Sequence, residues 1–332
     1  MMDKHVKVAV VVVNYGTAEC AISAVASVLR YGLQQGDLHV YLVDNASPGD
    51  DASVLERACA AHDWSGRVTL LRAASNLGFG AGNNLALEAM ASDPPDFVFL
   101  LNPDARLKNN AVDHLTTALI NQPDVAVVGA GISRPDIGPV TAAFRFPTIY
   151  REFVGALSFG PVSRLFPSGI VPLPADHPSG PVDWVAGAAA MFRYEVLTEI
   201  GGFDPEFFLY FEEVDLMRAI SRRGWQVWYL PDAQVWHDEG RSTGVRSAEP
   251  QRRRKPSYWY ASWRYYFAKN HGRLHALLAA SAWLLGSLLN HGISALRGRQ
   301  PAAPLRYGAD FVRAGVLPLL AGGPVSCSRG RR

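Results

Sequence analysis

Three groups of acidic, amide and imidazole side chains in this sequence have types and spacings that could do chemistry. The first lies in FVFLLNPDAR, residues 97–106, where an apolar run stops at Asn102-Pro103-Asp104. A carboxylate in this position could bind a hard divalent cation, which takes oxygen ligands and bridges diphosphate oxygens. Pro103 would restrict the backbone next to Asp104. A turn is the alternative interpretation, because Asn, Pro and Asp all favour turns.

The second group is the acid cluster of FFLYFEEVDLMRAISRRG. Glu212, Glu213 and Asp215 fall in the first turn of a helix predicted over residues 212–224, where negative charge complements the helix dipole. The dipole is a sufficient structural explanation for these acids. However, Glu213 shares a helical stripe with Leu216, Met217 and Ile220. A carboxylate beside a buried face could have a raised pKa and act as a general base.

The third group consists of single polar residues that follow other apolar runs. Asp44 closes YLVDNAS and could accept a hydrogen bond from a nucleobase or a ribose hydroxyl, or it could cap the following turn. His237 in VWHDEGRST could offer a ring nitrogen to a metal or a phosphate, although a lone histidine is more often structural.

A glycine-rich stretch, NLGFGAGNN at residues 76–84, places Gly78, Gly80 and Gly82 just before a predicted helix. Backbone N–H groups there could approach a phosphate or a sugar closely, and a flexible turn is the alternative. A dinucleotide dehydrogenase would carry G-x-G-x-x-G after its first strand, whereas residues 14–17 here read NYGT. The sequence therefore excludes that class of oxidoreductase.

Strands and helices that alternate along the chain must position these groups. The predicted strands cover residues 6–13, 39–43, 68–71, 97–101 and 125–128, and the predicted helices cover residues 18–31, 53–62, 81–91 and 111–121. This alternation indicates an α/β fold with a mostly parallel sheet covered by helices on both faces. Ligands bind at the carboxyl ends of the strands in such sheets, so we expect the polar residues that follow the strands to converge, namely Asn14, Asp44, Asn76, Asn102, Asp104 and His237.

The remainder of the chain is less regular. Residues 134–181 are rich in Pro, Gly and Phe without a clear period, which indicates a long surface connection. Regular patterning returns at residues 182–192, and a short strand is predicted over residues 226–230.

The composition is that of a globular protein with a large core, since 48% of the 332 residues are hydrophobic and 19% are charged. Cys20, Cys59 and Cys327 are too far apart for a zinc motif and odd in number, so a reducing compartment is expected. The apolar run at residues 8–13 has no cleavage pattern after it and is interpreted as the first strand, so export is not expected.

Positive charge is concentrated in the last quarter of the chain. From residue 251 onward there are 14 Lys and Arg against one acid, Asp310. A basic cluster at residues 252–255 and a group of aromatic residues precede residues 274–296, which contain no charged side chain. This order favours a helix or helix pair lying on a cytoplasmic membrane surface. Packing on the rest of the chain and a true span are the alternatives, and nucleic acid is disfavoured because no nucleic-acid-binding motif accompanies the arginines.

The sequence resembles family 2 of the glycosyltransferases, which have the GT-A fold, in a series of motifs. In chain order these are VVVVNYGTAE, VYLVDNAS, NLGFGAGNN, FVFLLNPDARL, the stretch from VDWVAGAAAMF to ISRRGW, and AQVWHDEGRST. The match covers about residues 6–245 and is most similar to the rhamnosyltransferase-like branch. It implies an inverting enzyme that uses a nucleotide-diphosphate sugar and a divalent metal, Mg²⁺ or Mn²⁺.

The resemblance implies a donor site formed by Asn14, Asp44, Asn76, Gly78, Gly80, Asn102 and Asp104. Asp44 would bind the base or the ribose. Asn102-Pro103-Asp104 stands where the family commonly has Asp-x-Asp, so Asp104 would hold the metal with assistance from His237. Because Asn102 replaces the first aspartate, direct metal ligation by Asn102 is not expected.

The resemblance also assigns the acceptor side. Glu213 occupies the second position of the family's Glu-Asp pair and would remove the proton from the acceptor hydroxyl. The family usually has Asp there, so Asp215 is a second candidate for this base. Trp184, Gly187, Asp204 and Glu212 would line the acceptor site.

The resulting hypothesis is a metal-dependent, inverting hexosyltransferase of cell-envelope glycan biosynthesis. It would move L-rhamnose from dTDP-L-rhamnose to a lipid-linked or polysaccharide acceptor, with a UDP-sugar donor as the alternative. A nucleotidyltransferase and a non-catalytic sugar-nucleotide-binding protein are further alternatives. The expected catalytic domain covers residues 1–245, with a nucleotide-sugar half over about residues 1–130 and an acceptor half over residues 131–245. A basic, apolar helical tail, residues 246–332, would associate with the inner face of the cell membrane.

Overall fold

The structure, a computed structural model, describes residues 5–62, 64, 66–238, 254–301, 303–322 and 325–326. The chain divides into two compact units, and each is built from several segments of sequence. The first unit comprises Met1–Phe144, Leu173–Pro205 and Leu216–Arg246, and the second comprises Arg145–Pro172, Glu206–Asp215 and Ser247–Arg332. Because these units are discontinuous in sequence, a domain boundary near residue 245 stays a prediction.

The strands of the described chain all lie in the first unit. They are β1 (Lys7–Asn14), β2 (Asp37–Asp44), β3 (Val68–Arg72), β4 (Phe97–Leu101), β5 (Ala105–Leu107), β6 (Val125–Arg134), β7 (Gly138–Val140), β8 (Ala143–Phe144), β9 (Gly180–Val182), β10 (Trp184–Val185), β11 (Ala189–Arg193) and β12 (Gln226–His237).

Helices occur in both units. They are α1 (Ala18–Tyr31), α2 (Asp51–Ala61), α3 (Phe79–Ala89), α4 (Ala111–Asn121), α5 (Ile149–Leu157), α6 (Gly160–Leu165), α7 (Tyr194–Ile200), α8 (Glu212–Arg222), α9 (Ser257–His271), α10 (Arg273–Leu296), α11 (Tyr307–Phe311) and α12 (Leu317–Leu320). A 3₁₀ turn covers Pro167–Gly169, and a π turn covers Val312–Val316. α5, α6 and α9 to α12 belong to the second unit, as does the first turn of α8.

The large sheet has the strand order β3, β2, β1, β4, β11, β6, β12, β5, with β7 on β6 and β9 on β12. β1 to β4 form a parallel half, while β11 is antiparallel to both of its neighbours. The chain runs outward from β1 to β3 and then crosses to β4 on the other side of β1. The strand order therefore reverses beside β1, which is where α/β sheets bind their ligands.

Both faces of the parallel half are buried, as the apolar strands predicted. On β1, Val8, Val10 and Val12 belong to one core cluster, together with side chains of α1, α2 and α4. Ala9 and Val11 face the opposite way and pack in a second cluster with side chains of α3. The alternation of the strand places successive residues in different cores, so the whole run must be apolar.

Most of the predicted elements are present at the expected places. β4, α1 and α4 have the predicted bounds, whereas β6 and β12 extend further than predicted. β12 runs past Pro231 because its pairing shifts between Leu230 and Gln234, and its last residues pair with β5. An interruption of this kind accommodates a proline, which cannot donate to the ladder.

Residues 134–181, which the sequence indicates as a long surface connection without a clear period, contain regular elements. These are β7, β8, two helices, α5 and α6, and the start of β9. The Thr148 side chain accepts a hydrogen bond from Arg151 N at 3.2 Å and caps α5. A threonine cap was a local signal for this helix, but α5 is covered by α10, which is far away in sequence.

The second unit is built around the aromatic residues of α9 and α11. Tyr260, Trp263, Tyr266, Phe267 and Phe311 are fully buried. α10 packs against α5 and α9.

Candidate active site

The carboxyl ends of β1 and β2 are adjacent, with Asn14 opposite Asp44. Asn14 is fully buried, and Asp44 is 3% exposed. Asn14 Nδ2 donates to Asp44 Oδ1, Ser47 Oγ and Asp51 Oδ2 at 3.3, 3.0 and 3.1 Å. Asn14 Oδ1 accepts from the backbone N–H and the hydroxyl of Thr17 at 3.1 and 3.0 Å. Both the oxygen and the nitrogen of the Asn14 side-chain amide are therefore hydrogen-bonded within the protein. Its predicted contact with a donor stays a prediction.

Ser47 and Asp51 are residues that sequence reasoning missed. Ser47 Oγ accepts from Gly16 N, and Asp51 Oδ2 accepts from Ala18 N in the first turn of α1, each at 3.0 Å. These bonds fix the loop after β1. The run of turn formers after Asn45 was the available signal, but it does not reveal a partner 33 residues earlier in the chain.

The glycine-rich stretch is tied to the end of β2 by amides. Asn45 Nδ2 donates to Asn76 Oδ1 and to Gly78 O at 3.0 and 3.1 Å, and Asn76 Oδ1 accepts from Gly78 N at 3.0 Å. Gly78 has a φ of +98°, in the region that favours glycine. A Cβ on Gly80 would lie 2.9 Å from Phe203 Cβ. Close packing thus explains Gly80, and its predicted contact with a donor stays a prediction.

Asp104, Asn102 and His237 form a cluster at the carboxyl end of β4. The Asp104 side chain is 1% exposed and that of His237 is 11% exposed. His237 Nε2 lies 3.0 Å from Asp104 Oδ1 and 3.3 Å from Asn102 Nδ2. Because Nε2 faces an acceptor and a donor, the imidazole tautomer decides which of the two hydrogen bonds forms.

The antiparallel pairing of β5 with β12 brings this cluster together. In the register, His237 lies opposite Ala105 and Trp236 lies opposite Arg106. Asp238 N also donates to Asp104 O at 3.0 Å. A histidine that is 133 residues away in sequence is thus fixed beside the aspartate by backbone hydrogen bonds.

The chemistry of this cluster fits a divalent cation. Asp104 Oδ2 is buried and has no hydrogen-bond partner within the described ranges, although a buried carboxylate oxygen normally has one. Such an oxygen is the ligand that a hard cation prefers, and His237 could supply a nitrogen. No group of three or more His, Cys, Asp and Glu is placed to hold a metal among the described residues.

The second unit contains the acid pair that begins α8. Tyr210 and Phe211, just before it, have φ values of +69° and +70°, in the left-handed region that side chains rarely adopt. Glu212 is buried and Glu213 half-buried, and Oε2 of each has no partner in the part of the chain that is described. Burial raises the pKa of Glu212 well above its ordinary value, and the charge of Glu213 adds to this effect. Burial also raises the pKa of Glu213, against the opposing effect of backbone N–H groups.

Asp215, the second predicted base, is engaged in other contacts. Lys269 Nζ lies 2.6 Å from Asp215 Oδ2, and Asn270 Nδ2 donates to Asp215 Oδ1 at 2.6 Å. Both carboxylate oxygens of Asp215 already contact other side chains. The geometry therefore favours Glu213 over Asp215 as a proton acceptor.

The residues predicted for the acceptor site lie in several places. Trp184 of β10 stacks on Phe144 of β8, with ring centroids 4.0 Å apart. Gly187 lies in the turn between β10 and β11, and Asp204 is half-buried between α7 and α8. Glu212 belongs to the second unit. The acceptor roles of these residues stay predictions.

Sequence comparisons relate the chain to enzymes that transfer sugars. The profile described as glycosyltransferase like family 2 matches residues 5–256. An N-acetylglucosaminyl-diphospho-decaprenol L-rhamnosyltransferase of Mycobacterium tuberculosis is 29% identical over 197 residues, which cover 53% of this chain and 61% of that protein. The rhamnosyltransferase WbbL of Escherichia coli is 25% identical over 168 residues, which cover 48% and 60%. The chain thus spans about three fifths of the length of the curated relatives it matches.

Solved structures with similar folds include two that were determined with Mn²⁺. The mannosyltransferase PcManGT from Pyrobaculum calidifontis, in complex with GDP-Man and Mn²⁺, has a TM-score of 0.53 at 17% identity and covers 96% of this chain and 81% of its own. GalNAc-T7, with UDP, GalNAc and Mn²⁺, has a TM-score of 0.57 at 13% identity and covers 97% and 59%. These similarities confirm the predicted GT-A-type sheet flanked by helices.

We expect Asp104→Asn to abolish most of the metal dependence of nucleotide binding, because a neutral amide oxygen is a weaker ligand for a hard cation. Calorimetric titration of dTDP with and without Mn²⁺ should show at least a tenfold loss of the Mn²⁺-dependent affinity. Asp93→Asn, at a surface ion pair with Lys7, is the matched control and should bind like the wild type. Unchanged Mn²⁺-dependent binding by a folded Asp104→Asn protein would contradict the role of Asp104.

Proposed function

Since the chain belongs to the glycosyltransferase like family 2, as the motifs predicted, we propose that it is an inverting rhamnosyltransferase of cell-envelope glycan synthesis. It moves L-rhamnose from dTDP-L-rhamnose to a lipid-linked or polysaccharide acceptor. Two curated relatives support this proposal, since their names describe rhamnosyltransferases and one name includes a diphospho-decaprenol. The structural observation that carries it is the cluster of Asp104, His237 and Asn102 at the carboxyl end of β4.

The donor is assigned to the first unit. Asp44 accepts a hydrogen bond from the base or the ribose of the nucleotide. Its carboxylate is held in place by Asn14 and receives Ser47 N at 3.4 Å, so little reorganisation is needed when the donor arrives. The loop at Gly78 is fixed in the same way by Asn45 and Asn76, which supports a role next to the phosphates.

The diphosphate is assigned to Asp104 and His237. A divalent cation held by these two side chains would neutralise the charge that develops on the departing nucleoside diphosphate. His237 orients the Asp104 carboxylate through Oδ1 and leaves Oδ2 available. Asn102 Nδ2 lies 3.3 Å from the same nitrogen, His237 Nε2, and donates to it in the tautomer in which Nε2 carries no proton.

The acceptor hydroxyl is assigned to the acid pair of the second unit. Glu213 takes the proton from this hydroxyl as the hydroxyl oxygen attacks the anomeric carbon. A raised pKa makes a carboxylate a stronger base near neutral pH, and burial raises the pKa of Glu213. Burial and the charge of Glu213 raise the pKa of Glu212 as well, and the Glu212 carboxyl group is assigned to a hydrogen bond with the acceptor.

The first experiment compares donors by calorimetric titration. We expect dTDP-L-rhamnose to bind in the presence of Mg²⁺ or Mn²⁺ and UDP-glucose to bind at least tenfold more weakly. Tighter binding of the UDP-sugar would be compatible with the fold and with the reaction class, but it would contradict the proposal that the transferred sugar is rhamnose. A UDP-sugar is chosen for comparison because GalNAc-T7, which has a similar fold, was solved with UDP.

We expect Glu213→Gln to lower kcat by about 100-fold or more, in the range typical for loss of a general base. Glu213 must be deprotonated to act, so kcat of the wild type should rise with pH through a pKa above the ordinary glutamate value. The variant should lose this ascending limb. The pH dependence of kcat is measured for both proteins between pH 4.5 and 9.

Asp215→Asn is the control for this variant. It should retain the ascending limb and lose thermal stability, because its contact with Lys269 disappears. A Glu213→Gln protein with nearly normal turnover would show that the base lies elsewhere.

The proposed location is the cytoplasmic face of the membrane, and α10 supports it. This helix of 24 residues is long and apolar enough to cross a membrane. Its buried residues are small or polar and include Ala276, Ala279, Gly286, Ser287 and Asn290. The exposed residues include six leucines, Leu274, Leu278, Leu285, Leu288, Leu289 and Leu296, each between 44% and 91% exposed. This distribution is the reverse of that in a helix that packs on a soluble core.

The contacts of α10 favour a helix that lies on the membrane over one that crosses it. A Cβ on Gly286 would lie 2.4 Å from Phe153 O of α5, and Asn290 Nδ2 donates to Leu157 O at 2.9 Å. The face of α10 that carries the small residues is therefore held against α5. Arg297 and Arg299, just beyond the helix, are exposed, and basic residues of this kind favour anionic lipid.

We expect the chain to sediment with vesicles that contain anionic phospholipid, and less with purely zwitterionic vesicles. The double variant Leu285→Ser and Leu288→Ser should lower the bound fraction several-fold, because it removes exposed apolar area. Leu77→Ser, at an exposed leucine of the first unit, is the matched control. Unchanged vesicle binding of the double variant would contradict a role for the exposed leucines in membrane binding. If alkaline carbonate does not release the wild-type protein from the vesicles, α10 spans the membrane instead.

A further inference from the structure

Lys255 is a cation that the donor and base assignments leave unused. Its Nζ lies 5.8 Å from the ring centre of Tyr210 and 5.4 Å from that of Trp259. The side chain is half-buried, and this burial lowers the pKa of its ammonium group. No carboxylate pairs with it among the described residues. The two aromatic faces stabilise the cation and restrict its rotamers.

The other lysines in the described part of the chain have different surroundings. Lys7 and Lys269 each form an ion pair with an aspartate, at 2.5 and 2.6 Å. Lys108 is exposed and lies 4.5 Å from the ring centre of Trp236. Lys255 differs because it is half-buried and has no acidic partner among the described residues. Partial desolvation of such a cation costs free energy that a bound anion would offset.

The backbone beside Lys255 adds to the positive potential. α9 begins two residues later, at Ser257, and has no acidic residue in its first turn. The N-terminus of a helix carries partial positive charge and favours anions. Tyr258 stacks on Tyr210, with ring centroids 6.0 Å apart, so the aromatic wall next to the ammonium is itself held in place.

Tyr210 connects Lys255 with the acid pair. It lies two residues before Glu212, and burial raises the pKa of its hydroxyl, with further contributions from Tyr258, Glu212 and Glu213. Its φ of +69° is a strained conformation that persists only where the surroundings hold it, and such strain concentrates at functional sites. Tyr210 thus has the Lys255 ammonium over its ring and is influenced by the charges of Glu212 and Glu213.

We propose that Lys255 binds the phosphate that joins the acceptor sugar to its lipid. This inference rests on the proposed function and specifies its acceptor as a lipid-linked sugar diphosphate. A hydroxyl of the sugar reaches Glu213, and the phosphate on the other side of the same sugar reaches the Lys255 ammonium. The site therefore distinguishes a sugar that carries a diphosphate from the same sugar without one.

The test uses two acceptors that share N-acetylglucosamine, one linked to farnesol through a diphosphate and one an octyl glycoside. Lys255→Met should raise KM for the diphosphate-linked acceptor at least tenfold, with kcat nearly unchanged, and should leave KM for the octyl glycoside within twofold. Lys255→Arg should keep most of the wild-type KM, because it restores the charge. Lys108→Met, the other lysine over an indole ring, is the control and should behave like the wild type.

Equal effects of Lys255→Met on both acceptors, or no effect on either, would overturn the inference and leave the proposed function intact. If the wild type uses neither acceptor, the proposed function fails in this form. Lys255 is then tested by direct titration of farnesyl diphosphate in EDTA, which suppresses cation-mediated binding at Asp104. Wild-type binding that Lys255→Met weakens tenfold and Lys108→Met leaves unchanged supports the anion site, and equal binding by all three proteins overturns it.

Discussion

Burial of the central sheet on both faces is the constraint on which the rest of the first unit depends. Val10 and Val11 of β1 belong to opposite cores, so polar side chains are accommodated only where the strands end. There Asn14 and Asp44 are themselves buried and must be hydrogen-bonded to each other and to the adjoining loops. The sheet thereby collects its polar groups at one edge and fixes them before any ligand binds.

Some of the exceptions to this satisfaction of polar groups occur at candidate functional residues. Asp104 Oδ2 and Oε2 of Glu212 are among the buried side-chain atoms that lack a hydrogen-bond partner in the described part of the chain, and an unsatisfied buried group of this kind costs about 1–3 kcal/mol. Tyr210 and Phe211 add backbone strain immediately before the acid pair, at about 1–3 kcal/mol each. Local rules are thus broken at the groups to which the metal and the acceptor are assigned, as is expected of functional sites. They are also broken at residues without a proposed role, such as Asn83 and Tyr260.

The second unit has a different basis for its stability. Its core is aromatic, around Trp263 and Phe311, and α10 packs on it with small residues while exposing leucines. Small residues allow close approach of two backbones, as at Gly286, which is the packing typical of helices in lipid. A leucine face in water is unfavourable, so this arrangement is consistent with a surface that is completed by a membrane.

The sequence by itself determined β4, α1 and α4, because their apolar periods are local and bounded by strong turn and cap residues. Its motifs also identified the family and singled out Asp104. Only the tertiary structure decided that His237 contacts Asp104, that Asn14 is used internally, and that residues 134–181 contain helices. It also decided which face of α10 is exposed. Each of these depends on a partner far away in the chain, and neither spacing nor periodicity specifies what lies across a sheet or beneath a helix.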